Sequence, residues 1–488
     1  MRSGTLLAAF LCLAAAIGCG RSARATAPSA GSTLAATWVD RTGAGTLARG
    51  PGEPLHPRTD LAPAARLVRP LARLAVIADA HVSDEESPAR VPFLDRFGAP
   101  FTSTFRPQEA LTAQVLAATV RAVNDAHPQA VVEAGDLIDN VQSNELDQAL
   151  AVLRGGRVNP GSGAPGYDGV QLASDADPFY YRPDVDPPRH PALLAAAQRP
   201  FTSPGLRAPW YPVLGNHDVL VQGELAPRAA TRAVAVGARA LFEPPPRLRE
   251  LRGRRLSEPD AVDELIARGR LPAGAVRVPG DPRRREPTSS EVLRRLRAAS
   301  GRGAGGPLLD YTFDVGTGVR GIVLDAARRD QGSKGLIRPA QIAWLRGELA
   351  RAGRRWVLLF THQPLYGCAG GKGVLELLSR DPRVLAAVAG HTHRNAVAPI
   401  ASPAGGFWMI LTSSLVDFPQ QARALQIDET AGGGAAISTW MLDHAPDDAL
   451  SSVSRQLAYL DAQGGRPSGA AGTPLDRNAR LFKAAPGP

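Results

Sequence analysis

Three cysteines and three lysines in 488 residues are the scarcities that bound this sequence first. Cys12 and Cys19 fall within and at the end of an N-terminal apolar run, leaving Cys368 alone in the body of the chain. A disulfide framework is therefore excluded, and stability has to come from buried apolar surface. With lysine confined to Lys334, Lys372 and Lys483, nearly all the positive charge is arginine, and the formal net charge of +10 is modest for the length. No basic patch interleaved with aromatic residues accompanies it, so no nucleic-acid partner is expected. Beyond residues 6–17 no apolar run approaches the roughly 20 residues of a membrane span. No internal repeat is present, which excludes solenoids and propellers. What remains is ordinary for a globular chain, 44% hydrophobic and 21% charged, and long enough for one large decorated domain or two.

The apolar run LLAAFLCLAAAI (6–17), with Arg2 before it and Gly18-Cys19 after it, reads as a signal peptide over residues 1–19. Its AIGC ending resembles a bacterial lipoprotein box, which would make Cys19 a lipid-anchored N-terminus on the outer face of the membrane. Cleavage after Ala25 would instead release a secreted product. Both outcomes export the protein.

Residues 20–68, rich in Ala, Pro, Gly, Thr and Arg without periodicity, read as a low-complexity linker. Regular structure is expected over 69–447. LARLAVIADAH ends a short apolar run in Asp79 and His81. Leu111, Val115, Leu116, Val120 and Val123 then recur at helical spacing, and PQAVVEAGD is a second buried strand ending in Gly135-Asp136. This order predicts a βαβ unit. Gly- and Pro-rich residues 141–207 and arginine-rich residues 224–304 read as insertions, the helical pieces of the second facing the surface. Residues 448–488 read as a C-terminal helix and tail.

Chemistry gathers where apolar strands stop. Five such ends carry Asp79 and His81, Asp136, Asn216 and His217, His362, and His391 with His393; in open α/β sheets these ends are where sites form. Five of the nine histidines lie there, whereas His56, His127, His190 and His444 lack such a setting and are expected at the surface. Each piece alone is a common turn or strand cap. The ordered set Asp-x-His, Gly-Asp, Gly-Asn-His-Asp, His, Gly-His-x-His is not.

That set resembles the calcineurin-like metallophosphoesterase superfamily, over roughly residues 71–420 without the insertions. The resemblance implies a four-layer α/β/β/α sandwich with two mixed β-sheets. It implies one metal ion on Asp79, His81, Asp136 and His393, and a second on Asp136, Asn216, His362 and His391, with Asp136 bridging. Manganese, iron or zinc would suit such a mixed nitrogen and oxygen set. Asn216 would add a neutral oxygen, keeping the site receptive to an anion. His217 would stabilise the transition state or protonate the leaving group, and Asp218 would orient that imidazole or cap a helix. The implied activity is hydrolysis of a phosphodiester or phosphomonoester, small or lipid-derived, by a metal-bridging hydroxide. Nucleotide or pyrophosphate hydrolysis on the same site, and a non-catalytic surface binding module on the same fold, are the rivals. The DYTFD and LDAA segments and the tail further resemble an exported actinobacterial branch. Asp139 departs from purple acid phosphatases, which carry a metal-binding Tyr there, so a coloured ferric site of that kind is not expected.

Other residues carry two readings each. Tyr167, Tyr180, Tyr181 and Arg182 form either a lid over the substrate or a satellite cluster. Arg283–Arg285 form either an anion site or a solvated face. Cys368 reads as a small buried residue rather than a nucleophile, and Asp325 as structural.

Overall fold

Leu67–Ile77 and Ala130–Glu133 pair in parallel, and Trp210–Pro212 joins them on the far side, the order a strand–helix–strand unit requires. All four residues of Ala130–Glu133 are buried, as expected where a parallel strand is covered on both faces. The computed structural model describes residues 29–97, 101, 104–245, 257–268, 271–303, 305–445, 448–465 and 470–487. The expected signal peptide, with Cys12, Cys19 and Ala25, lies outside them. Among them no helix is long and apolar enough to cross a membrane.

Two mixed sheets organise the molecule. The seven-stranded sheet runs His56–Arg58, Ala479–Lys483, Ala435–Asp443, Gln421–Thr430, Leu67–Ile77, Ala130–Glu133 and Trp210–Pro212. The six-stranded sheet runs Tyr311–Val315, Val319–Val323, Trp356–Thr361, Val384–Ala389, Phe407–Leu411 and Ala396–Ile400, the four inner strands parallel. The strand alternation explains the layering. Leu358 and Phe360 point into a core shared with Leu74, Val76 and Val131 of the other sheet. Val357 and Leu359 point the other way, onto Leu345 and Leu349 of helix Pro339–Arg351 and Val374 and Leu378 of helix Gly371–Ser379. Helix Thr112–Asp125, which carries the predicted apolar spacing, buries Val115, Leu116, Val120 and Val123 against the seven-stranded side. Two mixed sheets between helical layers match the expected sandwich.

The expected linker is not a tether where it is described. Ala36–Val39 and Ala48–Pro51 form an antiparallel ribbon, and His56–Arg58 extends the seven-stranded sheet by pairing with Ala479–Lys483. Strands of three or four residues bounded by Gly and Pro are too short to show a period. For the same reason the tail shows helix Ala449–Gln463 but hides its final strand. The second insertion is also more than surface. Its helix Ser289–Ser300 buries Val292, Leu293 and Leu296 in the main core. His444, expected at the surface, is fully buried beside Arg455, whose Nη2 donates to its carbonyl.

Leu481 of the last strand is fully buried opposite Ile437. Leu481→Ala should destabilise the fold by about 2–5 kcal/mol, read as a lowered urea midpoint at unchanged slope.

Candidate metal centre

The C-terminal ends of five parallel strands, three from one sheet and two from the other, are stitched together by backbone bonds. Asp79 N–H donates to Gly135 carbonyl and His81 N–H to Asp136 carbonyl, both at 3.0 Å, while Gly390 N–H donates to His362 carbonyl at 3.1 Å. The chain turns sharply there. Asp79, His81, Asp136, His391 and His393 all have φ between 43° and 67°, a region side-chain-bearing residues seldom occupy. Asp-x-His is thus a pair of left-handed residues just past the strand. The motif glycines serve close approach. A Cβ on Gly215 would lie 2.1 Å from Asp136 Oδ1, and one on Gly390 would lie 2.5 Å from Asp79 Oδ2. Gly390 has no positive φ, so it is nearness to Asp79, not a tight turn, that excludes a side chain.

The side chains converge into two groups whose ligand atoms lie within 4.8 Å of one another: Asp79, His81 and His393, and Asp136, His362 and His391. Asp136 Oδ2 stands between the groups, 3.0 Å from His362 Nε2 and 3.8 Å from His81 Nε2. Its Oδ1 accepts the His217 N–H at 2.8 Å. Asn216 lines the same cavity, its Oδ1 accepting from Gln363 Nε2 at 3.1 Å and its Nδ2 donating to Gly223 carbonyl. The structure thus gathers all seven sequence-predicted ligands around one cavity or its floor.

The donor geometry fits cations. His81 Nδ1 faces Asp139 Oδ1 at 3.0 Å and His393 Nδ1 faces Asp417 Oδ2 at 2.5 Å, so each ring keeps a proton on Nδ1. The two Nε2 atoms then face each other at 3.2 Å. Two lone pairs at that distance repel unless a positive charge lies between them, and roughly 3.0–3.4 Å is the spacing of two nitrogens each about 2.0–2.1 Å from one ion. His362 Nε2 is buried, with Asp136 Oδ2 3.0 Å away as its neighbour. Its Nδ1 pairs with Ala134 carbonyl.

Protons fill the role of cations when metal is absent. Burial opposes charge on His362 and His393, but Asp136 and Asp79 beside the first raise it to about 9, and Asp79 and Asp417 beside the second raise it to about 10. Burial, reinforced by neighbouring rings, pushes His81 down to about 4 and His391 to about 3. Against burial, His393 holds the Asp79 carboxyl below its usual range, and His362 holds Asp136 well below.

His217 lines the cavity, partly buried, with Nδ1 on Asp139 carbonyl at 2.5 Å, which leaves Nε2 as its uncommitted ring nitrogen. Asp218 does not orient it. Its carboxylate accepts the backbone N–H groups of Gly215, Asp136, Leu137 and Ile138 at 2.8–3.3 Å, locking two ligand loops together. A carboxylate at a loop crossing satisfies amides that would otherwise be buried unpaired. Asp139 buttresses His81 and lies 3.4 Å from Arg90 Nε.

The remaining candidates resolve. Tyr167 and Tyr181 pack with Leu111 and Leu194, and Tyr180 with Phe105, as satellite clusters outside the cavity wall. Arg182 pairs with Asp186. Arg283, Arg284 and Arg285 are matched by Asp281, Asp84 and Glu291, and Arg284 is buried, so the triplet is neither a free anion site nor wholly solvated. Asp325 is buried and accepts Leu309 N–H, a structural role. Cys368 is half-buried, and burial pushes its thiol up to about 12. The second insertion contributes Glu224, Glu258 and Val262 to the cavity wall, while the first contributes nothing. Sequence reasoning missed Arg90, Arg106 and Asp417. Asp417 lies six residues past strand Phe407–Leu411, too far to read as a strand-end ligand.

Two stacked mixed sheets with a buried histidine–carboxylate cluster at their strand ends define a metal-dependent hydrolase. The model of the calcineurin-like phosphoesterase family matches residues 72–395, and the chain belongs to that family, hydrolases of phosphoric esters with a dimetal centre. No curated protein matches the chain significantly. Among solved structures, a dimetal phosphatase from Danio rerio is 14% identical, with TM-score 0.42, covering 77% of this chain and 97% of its own. A purple acid phosphatase from yellow lupin seeds is 11% identical, with TM-score 0.34, covering 81% and 55%. PhoD is 12% identical, with TM-score 0.31, covering 86% and 80%.

Since His362 and His393 are cationic at pH 7.5 without metal, each ion has to displace a proton. Calorimetry of Mn²⁺ binding in two buffers of different ionisation enthalpy should show about one proton released per ion. Affinity should fall as pH drops below about 9.

Proposed function

We propose that the chain is a dinuclear metal-dependent phosphoesterase, cleaving a phosphodiester or phosphomonoester by in-line attack of water on phosphorus. The observation that carries this reading is the pair of Nε2 atoms facing each other at 3.2 Å with their Nδ1 atoms committed to carboxylates. In it Asp79, His81, Asp136 and His393 would hold one ion, and Asp136, Asn216, His362 and His391 would hold the other. Two divalent ions, manganese, iron or zinc, would supply the Lewis acidity that activates water and offsets charge on the phosphoryl oxygens. Asp136, whose Oδ2 lies near both His362 and His81, would be shared between them. His217, oriented by Asp139 carbonyl, presents Nε2 toward the substrate and, when protonated, passes a proton to the departing oxygen. Asp218 keeps the loops of Asp136 and His217 in register. A cavity of about 270 Å³ favours a small substrate or a headgroup.

The leader-like residues 6–17 support placing this reaction outside the cytoplasmic membrane, anchored through Cys19 or released after Ala25. The intact ligand set argues against a non-catalytic module.

Bis(p-nitrophenyl) phosphate and p-nitrophenyl phosphate with added Mn²⁺ test the reading. Asp136→Asn should abolish turnover and weaken both ions. His217→Asn should lower kcat about 10²–10⁴-fold while retaining both ions. Full activity in Asp136→Asn would refute the assignment.

A further inference from the structure

Two arginines line the central cavity, Arg90 and Arg106, each about 4% exposed. Arg90 is flanked by acceptors at all three nitrogens. Its Nη1 lies 2.6 Å from Glu109, its Nε 3.4 Å from Asp139, and its Nη2 donates to Thr104 carbonyl at 2.8 Å. Arg106 uses only two of its three nitrogens, Nε to Asp417 Oδ1 at 2.6 Å and Nη2 to Asp417 Oδ2 at 3.3 Å. Its Nη1 has no partner among the described residues and is not sealed from solvent. A guanidinium fixed along one edge and open at one nitrogen, in the wall of a cavity shared with His217 and Asp136, is suited to an anionic oxygen. Asp417 Oδ2 also accepts from His393 Nδ1 at 2.5 Å. One buried carboxylate therefore holds both the arginine and a candidate metal ligand. It lies beyond residue 395, where the family match ends.

We infer that Arg106 binds a phosphoryl oxygen of the substrate through Nη1, and that Asp417 is a positioning residue fixing Arg106 and His393 together. The inference rests on the phosphoesterase reading for what enters the cavity, but it concerns anion binding rather than turnover. Asp417 needs both oxygens as acceptors. An amide there has one, so it turns its N–H₂ either onto Arg106 or onto His393 Nδ1, and the second choice puts the imidazole in the wrong tautomer for an Nε2 ligand.

Calorimetry with inorganic phosphate on Mn²⁺-loaded protein and with Mn²⁺ on metal-stripped protein separates the two roles. Arg106→Gln should weaken phosphate about ten- to a hundredfold and raise KM, with Mn²⁺ affinity unchanged. Arg106→Lys, which keeps a charge beside Asp417, should show the same selective loss and replaces Arg106→Gln should that variant fail to fold. Asp417→Asn should weaken Mn²⁺ about ten- to a hundredfold and phosphate with it. In the double variant Arg106→Gln/Asp417→Asn, where the amide is free to face His393, Mn²⁺ affinity should recover while phosphate stays weak. Wild-type phosphate affinity in both Arg106 variants, or wild-type Mn²⁺ affinity in Asp417→Asn, overturns the inference. If the shifts appear but wild-type protein hydrolyses neither ester, the phosphoesterase reading falls and the anion site stands.

Discussion

Everything in this molecule is arranged around a repulsion. Buried carboxylates and imidazole nitrogens are gathered around one cavity with their lone pairs turned toward one another, an arrangement that is unfavourable until positive charge enters. Asp79 and Asp136 are essentially inaccessible, and His362 fully so. Without metal, protons provide that charge: Asp136 and Asp79 push His362 up to about 9, and Asp79 and Asp417 push His393 up to about 10, whereas burial and the neighbouring His217 ring keep His81 low despite Asp139. Packing of the two sheets supplies the free energy that forces these groups together, and the loops that carry them are bound to each other by backbone bonds and by the Asp218 carboxylate.

Loops of this kind are strained by construction. Five of the gathered residues sit in left-handed backbone, each costing on the order of 1–3 kcal/mol. The two sheets can bear that cost because their cores run continuously beneath the cluster. Gly215 and Gly390 complete the arrangement by their lack of a side chain, letting the carboxylates lie against main chain.

Much of this was legible beforehand. Polar residues that end apolar runs are visible in one dimension, because a buried strand is a run of apolar letters and its end is where that run breaks. Asp79, His81, Asp136, Asn216, His362, His391 and His393 all follow such runs within a few positions. Asp417 and Arg106 do not. Each lies in a connecting segment whose partner is some three hundred residues away, and nothing in local spacing marks them. The same limit hid the strands His56–Arg58 and Ala479–Lys483, which are too short to display a period and are held by pairing, the first on the second and the second on Ala435–Asp443. Asp218 was read from its neighbour His217 in sequence, but a buried carboxylate follows the densest set of free amides, and those belonged to the adjoining loop.

The early strands woven into the fold would leave a lipid-anchored terminus a short leash. Ser29 is already bonded to Ser32, which bridges to Leu442. If Cys19 carries a lipid, only the nine residues 20–28 separate it from Ser29, a reach of about 35 Å even stretched straight. Such a body could not sample the surrounding medium freely. It would be confined to a thin shell above the bilayer, where headgroups are concentrated and distant solutes are not.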